Sequence, residues 1–168
     1  TMITYDQGGG SSERKDIDFV LVGPDGDMAK TIQYMIKGFR KIKWLGPLYD
    51  KRKIAEMYQA ADVYVLPSYR EGLPLTLFEA MASGLPIVAT PTNGVPYIIK
   101  ENENGLFAEY GDIKAIKNAI LKIIDNPEIA KKMAINNRNA AKRYTWDERA
   151  RRYREVYREF IYSKKLDL

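Results

Sequence analysis

Neither cysteine nor histidine occurs among the 168 residues. Without cysteine there is no disulfide framework and no thiolate metal site, which suits a cytoplasmic location. Without histidine the commonest general base and the commonest metal ligand are missing together. Any chemistry therefore falls to carboxylates, lysine, hydroxyls and backbone dipoles. A zinc hydrolase and a Ser-His-Asp enzyme are excluded on these grounds. No apolar run is long enough to span a bilayer, and no charged-then-apolar leader opens the chain.

What is present describes a globular domain. Apolar residues make up 45% and charged residues 29%, and the length suits one α/β domain with its own core. The net charge of +5 fits a phosphate-bearing ligand, an anionic membrane surface or a plain solvated basic face. Thr1 to Ser12 do not read as part of a fold. Thr1-Met2-Ile3-Thr4 resembles the leader of a vector-borne β-galactosidase, and Gly8 to Ser12 reads as a flexible linker. Residues 1–12 are thus expected to be a linker or vector-derived segment, the rival reading being a native disordered end, and residues 13–168 the folded domain.

From Asp16 strand and helix patterns alternate. Strands are expected at Ile17–Val22, Ile42–Leu45, Val63–Leu66, Ile87–Thr90 and Gly105–Ala108, each an apolar or β-branched run bounded by turn residues. Helices are expected at Met28–Phe39, Lys51–Ala61 and Leu75–Ser83, and then at Asp112–Asp125, Pro127–Tyr144 and Thr145 to about Ser163. Gly84 suits a left-handed helix stop, and Asp112 and Thr145 suit N-caps. Alternation of this kind implies a Rossmann-like parallel sheet flanked by helices, with ligands beyond the carboxyl ends of the strands.

The first four strands end in turn-rich segments, at Gly23–Gly26, Gly46-Pro47, Pro67–Gly72 and Pro91–Gly94. In a parallel sheet these loops share one edge. There, glycine lets backbone amides approach a ligand. The helix starting near Leu75-Thr76 points unpaired amides and a positive dipole end the same way, which suits a phosphate. Glu79 lies about 6 Å further along the axis, where its carboxylate can accept from two vicinal hydroxyls, as on a ribose. Taken alone, Glu79 also reads as a dipole partner and Glu71 as a solvated loop residue. The pair, separated by seven residues and joined by Gly72-Leu73-Pro74-Leu75-Thr76, is the stronger pattern.

On these residues the sequence resembles a family. Pro67-Ser68, Glu71-Gly72, Glu79-Ala80-Met81-Ala82, Gly84, Pro86–Thr90 and Asn93-Gly94-Val95-Pro96 match the E-x7-E region of the GT4 retaining glycosyltransferases. Further matches fall at Phe19–Gly23, Trp44-Leu45-Gly46, Ala61-Asp62-Val63, Asn104–Phe107, Gly111-Asp112 and Tyr144-Thr145-Trp146. The resemblance implies the C-terminal, donor-binding half of a two-domain GT-B enzyme that moves a hexose from a UDP-, GDP- or ADP-sugar to an acceptor hydroxyl. Glu79 would hold the ribose, and the amides of Leu75 and Thr76 the diphosphate. Glu71 would touch the transferred sugar, and the loop around Leu45 and Gly46 the base. Gly23, Gly72 and Gly94 complete the expected donor site. No metal and no cofactor are implied. The two glutamates are not the acid and nucleophile of a retaining glycosidase.

Three departures qualify that resemblance. The family's first strand and helix, with an Arg and a Lys that clamp the diphosphate, are expected to be missing, since only the linker-like Thr1–Ser12 precedes the Phe19 strand. The acceptor-binding N-terminal domain is likewise expected to be missing. Tyr97 stands where the family often has a glutamate. Loss of the cations removes charge stabilisation of the leaving group, so a non-catalytic, weakly nucleotide-binding module is the alternative reading of the isolated chain. Arg149, Arg151, Arg152, Arg154 and Arg158 crowd the last helix, interleaved with Tyr153, Val156, Tyr157, Phe160 and Ile161. Its apolar face is expected to pack on this domain or on the partner domain, and an anionic membrane surface is a further possible partner. Nucleic acid is not expected. An NAD-dependent dehydrogenase is set aside because Gly23-Pro24-Asp25-Gly26 does not fit its glycine fingerprint. A nucleotide-sugar epimerase or a phosphorylase of the same architecture would not carry the Pro67–Gly72 segment at this spacing.

Overall fold

The computed structural model describes residues 2–5, 16–23, 26 and 29–165. Among these residues lie six strands and six α-helices: β1 (Met2–Tyr5), β2 (Ile17–Leu21), α1 (Ala29–Ile36), β3 (Ile42–Trp44), α2 (Lys51–Gln59), β4 (Val63–Leu66), α3 (Leu75–Ser83), β5 (Ile87–Ala89), β6 (Gly105–Phe107), α4 (Ile113–Ile124), α5 (Pro127–Ala141) and α6 (Trp146–Lys165). The strands form one sheet in the order β3-β2-β1-β4-β5-β6, the doubly wound order of dinucleotide-binding sheets. Pairs β2–β3, β4–β5 and β5–β6 are parallel. β1 is antiparallel to both β2 and β4, so the other five strands all run one way. Their carboxyl ends therefore share an edge.

β1 corrects one expectation. Residues 1–12 read as a segment outside the fold, yet Met2–Tyr5 lies in the middle of the sheet, Met2 opposite both Val20 and Tyr64. The physical reason is edge satisfaction. Without a strand between them, β2 and β4 would each leave a row of backbone donors and acceptors unpaired. Ile, Thr and Tyr also favour the extended state. Thr1, residues 6–12 with the expected Gly8–Ser12 linker, and Pro24, Asp25 and Met28 lie outside the described residues.

Period-two alternation builds the two faces of the sheet. Tyr64 and Leu66 of β4, with Ile87 and Ala89 of β5, pack with Tyr58, Leu77, Ala80 and Met81 from α2 and α3. Val63, Val65 and Val88 point the other way, onto Ile120, Ile123 and Ile124 of α4 and Met133 of α5. At the far edge α1 is less well covered. It ends at Ile36, and Met35 and Phe39, both within the expected Met28–Phe39 helix, are exposed. Ala80 is fully buried, whereas Ala82 is exposed.

Helix ends follow the sequence signals. The Asp112 carboxylate accepts from the Ala115 amide at 2.8 Å, and the Thr145 hydroxyl from the Glu148 amide at 3.3 Å. Gly84 closes α3 at φ 78°, and a Cβ there would collide with the Arg138 guanidinium. Beside it the buried Asn137 amide donates to the carbonyls of Leu85 and Asn104, both at 2.7 Å. That side chain ties α5 to the turn that aims α3.

Candidate functional site

The carboxyl edge of the sheet opens into a cavity of about 290 Å³ lined by Val22, Gly23, Pro47, Leu48, Tyr49, Ile54, Met57, Tyr58, Tyr64, Thr76 and Glu79. Three of the expected residues, Gly23, Thr76 and Glu79, thus meet in one space. Gly23 is set by the neighbouring turn, its amide donating to the Gly46 carbonyl at 3.2 Å. Gly46 is buried at φ 67° with Trp44 against it, so it shapes the wall from behind. Leu45 is exposed and absent from the lining, its amide spent on the Leu21 carbonyl. The wall next to Gly23 is instead Pro47, Leu48 and Tyr49, of which Pro47 alone belongs to a turn-rich segment expected at this edge.

α3 presents its amino end to this region. Its N-cap is Pro74, which has no side-chain group to cap the first-turn amides. The side chain of Leu75 faces a second hollow, so only its backbone can serve the first. Glu79, on the next turn, is exposed and borders both hollows.

Two tyrosines hold these groups from below. The Tyr58 hydroxyl donates to Glu79 Oε2 at 3.1 Å and lies 3.5 Å from the Thr76 carbonyl. The Tyr64 hydroxyl donates to Thr76 Oγ1 at 2.9 Å. Their rings lie 6.0 Å apart, tilted by 59°, and both are buried. Burial pushes the Tyr58 pKa far above the usual phenol value, reinforced by Tyr64 and then Glu79. Burial also raises that of Tyr64, against an opposing contribution from its bond to Thr76. Both stay protonated donors throughout the physiological range. Both fall inside expected elements, the Lys51–Ala61 helix and the Val63–Leu66 strand, and their spacing gives no signal of a polar role.

Glu71 sits on a separately braced loop. Ser68 Oγ donates to its Oε1 at 2.8 Å, the Asn93 side chain donates to its carbonyl, and the Thr90 hydroxyl donates to the Ser68 carbonyl. The Gly94 amide donates to the Gly72 carbonyl at 3.2 Å. These backbones approach so closely that a Cβ on Gly94 would lie 2.5 Å from that oxygen. Gly72 and Gly94 therefore act as the clasp of two loops. Neither they nor Glu71 line the 290 Å³ cavity. Tyr97, in the 3-10 turn that follows, is 85% exposed.

The second hollow, about 450 Å³, is bounded by Leu73, Leu75, Phe78, Tyr144, Trp146 and Arg149 among others. The Arg149 guanidinium stands 5.8 Å over the Phe78 ring. Beyond this elbow α6 leaves the body. Every residue from 151 to 162 is exposed, so its apolar face does not pack on this domain, contrary to one expectation. Among the described residues no helix is long and apolar enough to cross a membrane. Among those residues, too, no group of three or more Asp or Glu is gathered as a metal site would need.

A family profile described as glycosyl transferases group 1 matches residues 10–140. The chain belongs to that family. It is 33% identical over 150 residues to an uncharacterized glycosyltransferase of Methanocaldococcus jannaschii, covering 86% of this chain and 42% of that protein. It is 30% identical over 151 residues to the UDP-Gal:alpha-D-GlcNAc-diphosphoundecaprenol alpha-1,3-galactosyltransferase of Escherichia coli, covering 89% and 38%. Among solved structures, the sucrose-phosphate synthase of Thermosynechococcus elongatus superposes with a TM-score of 0.77 at 28% identity, over 86% of this chain and 38% of that one. The group 1 domain thus spans about two-fifths of the length of the curated relatives it matches. The expected fold, an α/β sheet of the GT-B class, is the one observed.

Proposed function

We propose that this group 1 domain binds the nucleoside diphosphate sugar used in a retaining hexosyl transfer, with the acceptor bound by a further, N-terminal domain. The observation that carries the reading is the convergence of Gly23, Thr76 and Glu79 on one cavity at the uncapped amino end of α3. The Leu75 and Thr76 amides and the positive helix end suit a diphosphate, whose charge grows as the sugar departs. Glu79 accepts from the ribose hydroxyls. Glu71, braced by Ser68, contacts hydroxyls of the transferred sugar and is the candidate catalytic residue. Pro47, Leu48 and Tyr49, rather than Leu45, flank the base. The name of the Escherichia coli relative favours UDP among the UDP, GDP and ADP choices. Retention of configuration, and transfer without metal or cofactor, come from the GT4 resemblance.

Calorimetric titration with UDP, GDP and ADP tests the reading. One of them is expected to bind, and Glu79→Ala to weaken it by about ten- to a hundredfold, the worth of hydrogen bonds to a charged group. Absence of binding by all three, or an unaffected Glu79→Ala variant, would overturn it. A second reading, favoured by a cavity lining without Lys or Arg among the described residues, is that this chain alone binds nucleotide without transferring sugar. Turnover of a nucleotide sugar by the isolated chain would refute it. Arg149, Arg151, Arg152, Arg154 and Arg158 make α6 a candidate for peripheral contact with an anionic membrane. Co-sedimentation with phosphatidylserine vesicles, absent with neutral ones, is the outcome expected of that contact.

A further inference from the structure

We propose that Tyr58 and Tyr64 are positioning residues that set the hydrogen-bond polarity of the cleft, making Glu79 an acceptor for ribose hydroxyls and Thr76 a donor to phosphate. The inference deepens the donor reading and rests on it.

Glu79 and Thr76 are both exposed on the first turns of α3, and an exposed glutamate samples many rotamers. The 3.1 Å bond from Tyr58 to Glu79 Oε2 selects among them. It is charge-assisted, and its donor is a ring only 6% exposed, braced by Tyr64 and the core. The carboxylate is thereby pinned at one oxygen, with the other oxygen and the remaining lone pairs left to the cavity. A threonine hydroxyl is different, since it can donate or accept. Tyr64, the more acidic hydroxyl, donates to Thr76 Oγ1 at 2.9 Å. Once Thr76 accepts from below, its own proton is free to point outward, where the α3 amides also point. The Glu79 side of the cleft then accepts, and the Thr76 side presents an outward-pointing proton beside the α3 amides. A ribose 5′-diphosphate carries the complement, hydroxyls at one end and anionic oxygens at the other. The pair buried below the cleft is thus a template for ligand orientation. Burial keeps both phenols protonated, so the polarity does not change with physiological pH.

The test uses the full chain and compares the ribonucleoside diphosphate that binds with its 2′-deoxy counterpart. Wild type is expected to prefer the ribose form by about tenfold. Tyr58→Phe, which removes one oxygen and keeps the ring, should erase most of that preference and leave the affinity for the 2′-deoxy form unchanged. Glu79→Gln should erase it equally, and the double variant should lose no more than either single one. Tyr64→Phe should instead reduce the preference for the diphosphate over the free nucleoside while sparing the ribose preference. If Glu79→Gln abolishes the ribose preference while Tyr58→Phe retains it, or if the two losses add, the positioning role fails and the donor reading survives. If Glu79→Gln keeps the preference, or no nucleotide binds, the donor reading fails and this inference with it. Melting curves on each variant separate these effects from loss of fold.

Discussion

A hydrogen atom at position 94 is what lets the two site loops touch. Gly94→Ala places a methyl group 2.5 Å from the Gly72 carbonyl, so the loops must part and the brace on Glu71 must loosen. Overpacking of this kind costs about 1–3 kcal/mol, and a lowered denaturation midpoint is expected. Gly23→Ala, which meets no atom within 4 Å, should leave that midpoint nearly unchanged. Tyr58 gives a second, pH-dependent signature. Its folded pKa lies above its unfolded value of 10.0, so the folded state holds the proton more tightly. The resulting stability is complete below pH 10 and declines as pH rises beyond it. Melting temperature should therefore fall more steeply above pH 10 in wild type than in Tyr58→Phe. The contrast between these residues also shows what a sequence discloses. Glu71 and Glu79 were marked in the sequence by their joint spacing, since either alone reads as a dipole partner or a solvated loop residue, and Gly94 by its place in a turn-rich segment. Tyr58 and Tyr64 were not. A buried tyrosine fits an apolar stripe as well as a phenylalanine does, and only the folded chain brings its hydroxyl to Glu79.

Individual elements were legible where local chemistry sets their ends. β4 and α3 have the expected bounds, because Pro67 stops one and Pro74 and Gly84 frame the other. α1 and α5 are shorter than their periodicity suggested, since spacing indicates a helix but not where tertiary cover gives out. α6 is the extreme case. Its 20 residues reach about 30 Å, with little tertiary support beyond the elbow. What holds it is local: Arg151 meets Glu148 and Glu155 at 2.6 Å each, and Arg152 meets Glu148 at 3.3 Å. Exposed pairs at this spacing are weak and salt-sensitive. Amide exchange across residues 151–162 should accordingly be much faster than in α5, and faster still in concentrated salt. The hydrogen bond from Arg151, followed by Arg152, lowers the Glu148 pKa to about 2. Its folded value is depressed, so the α6 stability it supplies is present above the unfolded value of 4.5 and is lost as pH falls towards 2. Carboxyl titration by NMR should show this low midpoint, and Arg151→Ala should return it towards the ordinary glutamate range.

At the scale of the whole molecule the sheet depends on a strand that the sequence did not reveal. β1 joins β2–β3 to β4–β5–β6 and, among the described residues, is the only strand between them. Four residues flanked by a glycine-rich stretch carry too short a pattern to identify, and their partners lie more than ten residues away in the chain. Removing residues 1–5 should leave β2 and β4 with facing, unpaired edges. Light scattering should then detect self-association, or circular dichroism a loss of cooperative melting. A monomeric, fully cooperative variant would show that the two halves close on each other unaided. The reversed direction of β1 has a practical corollary. Met2, not Tyr5, lies opposite Val20 and Tyr64, near the strand ends from which Val22, Gly23 and Tyr64 line the cavity. The leading end of β1 is therefore the end nearest the cleft, so an environment-sensitive dye attached to that end would report ligand arrival without any change to the lining residues.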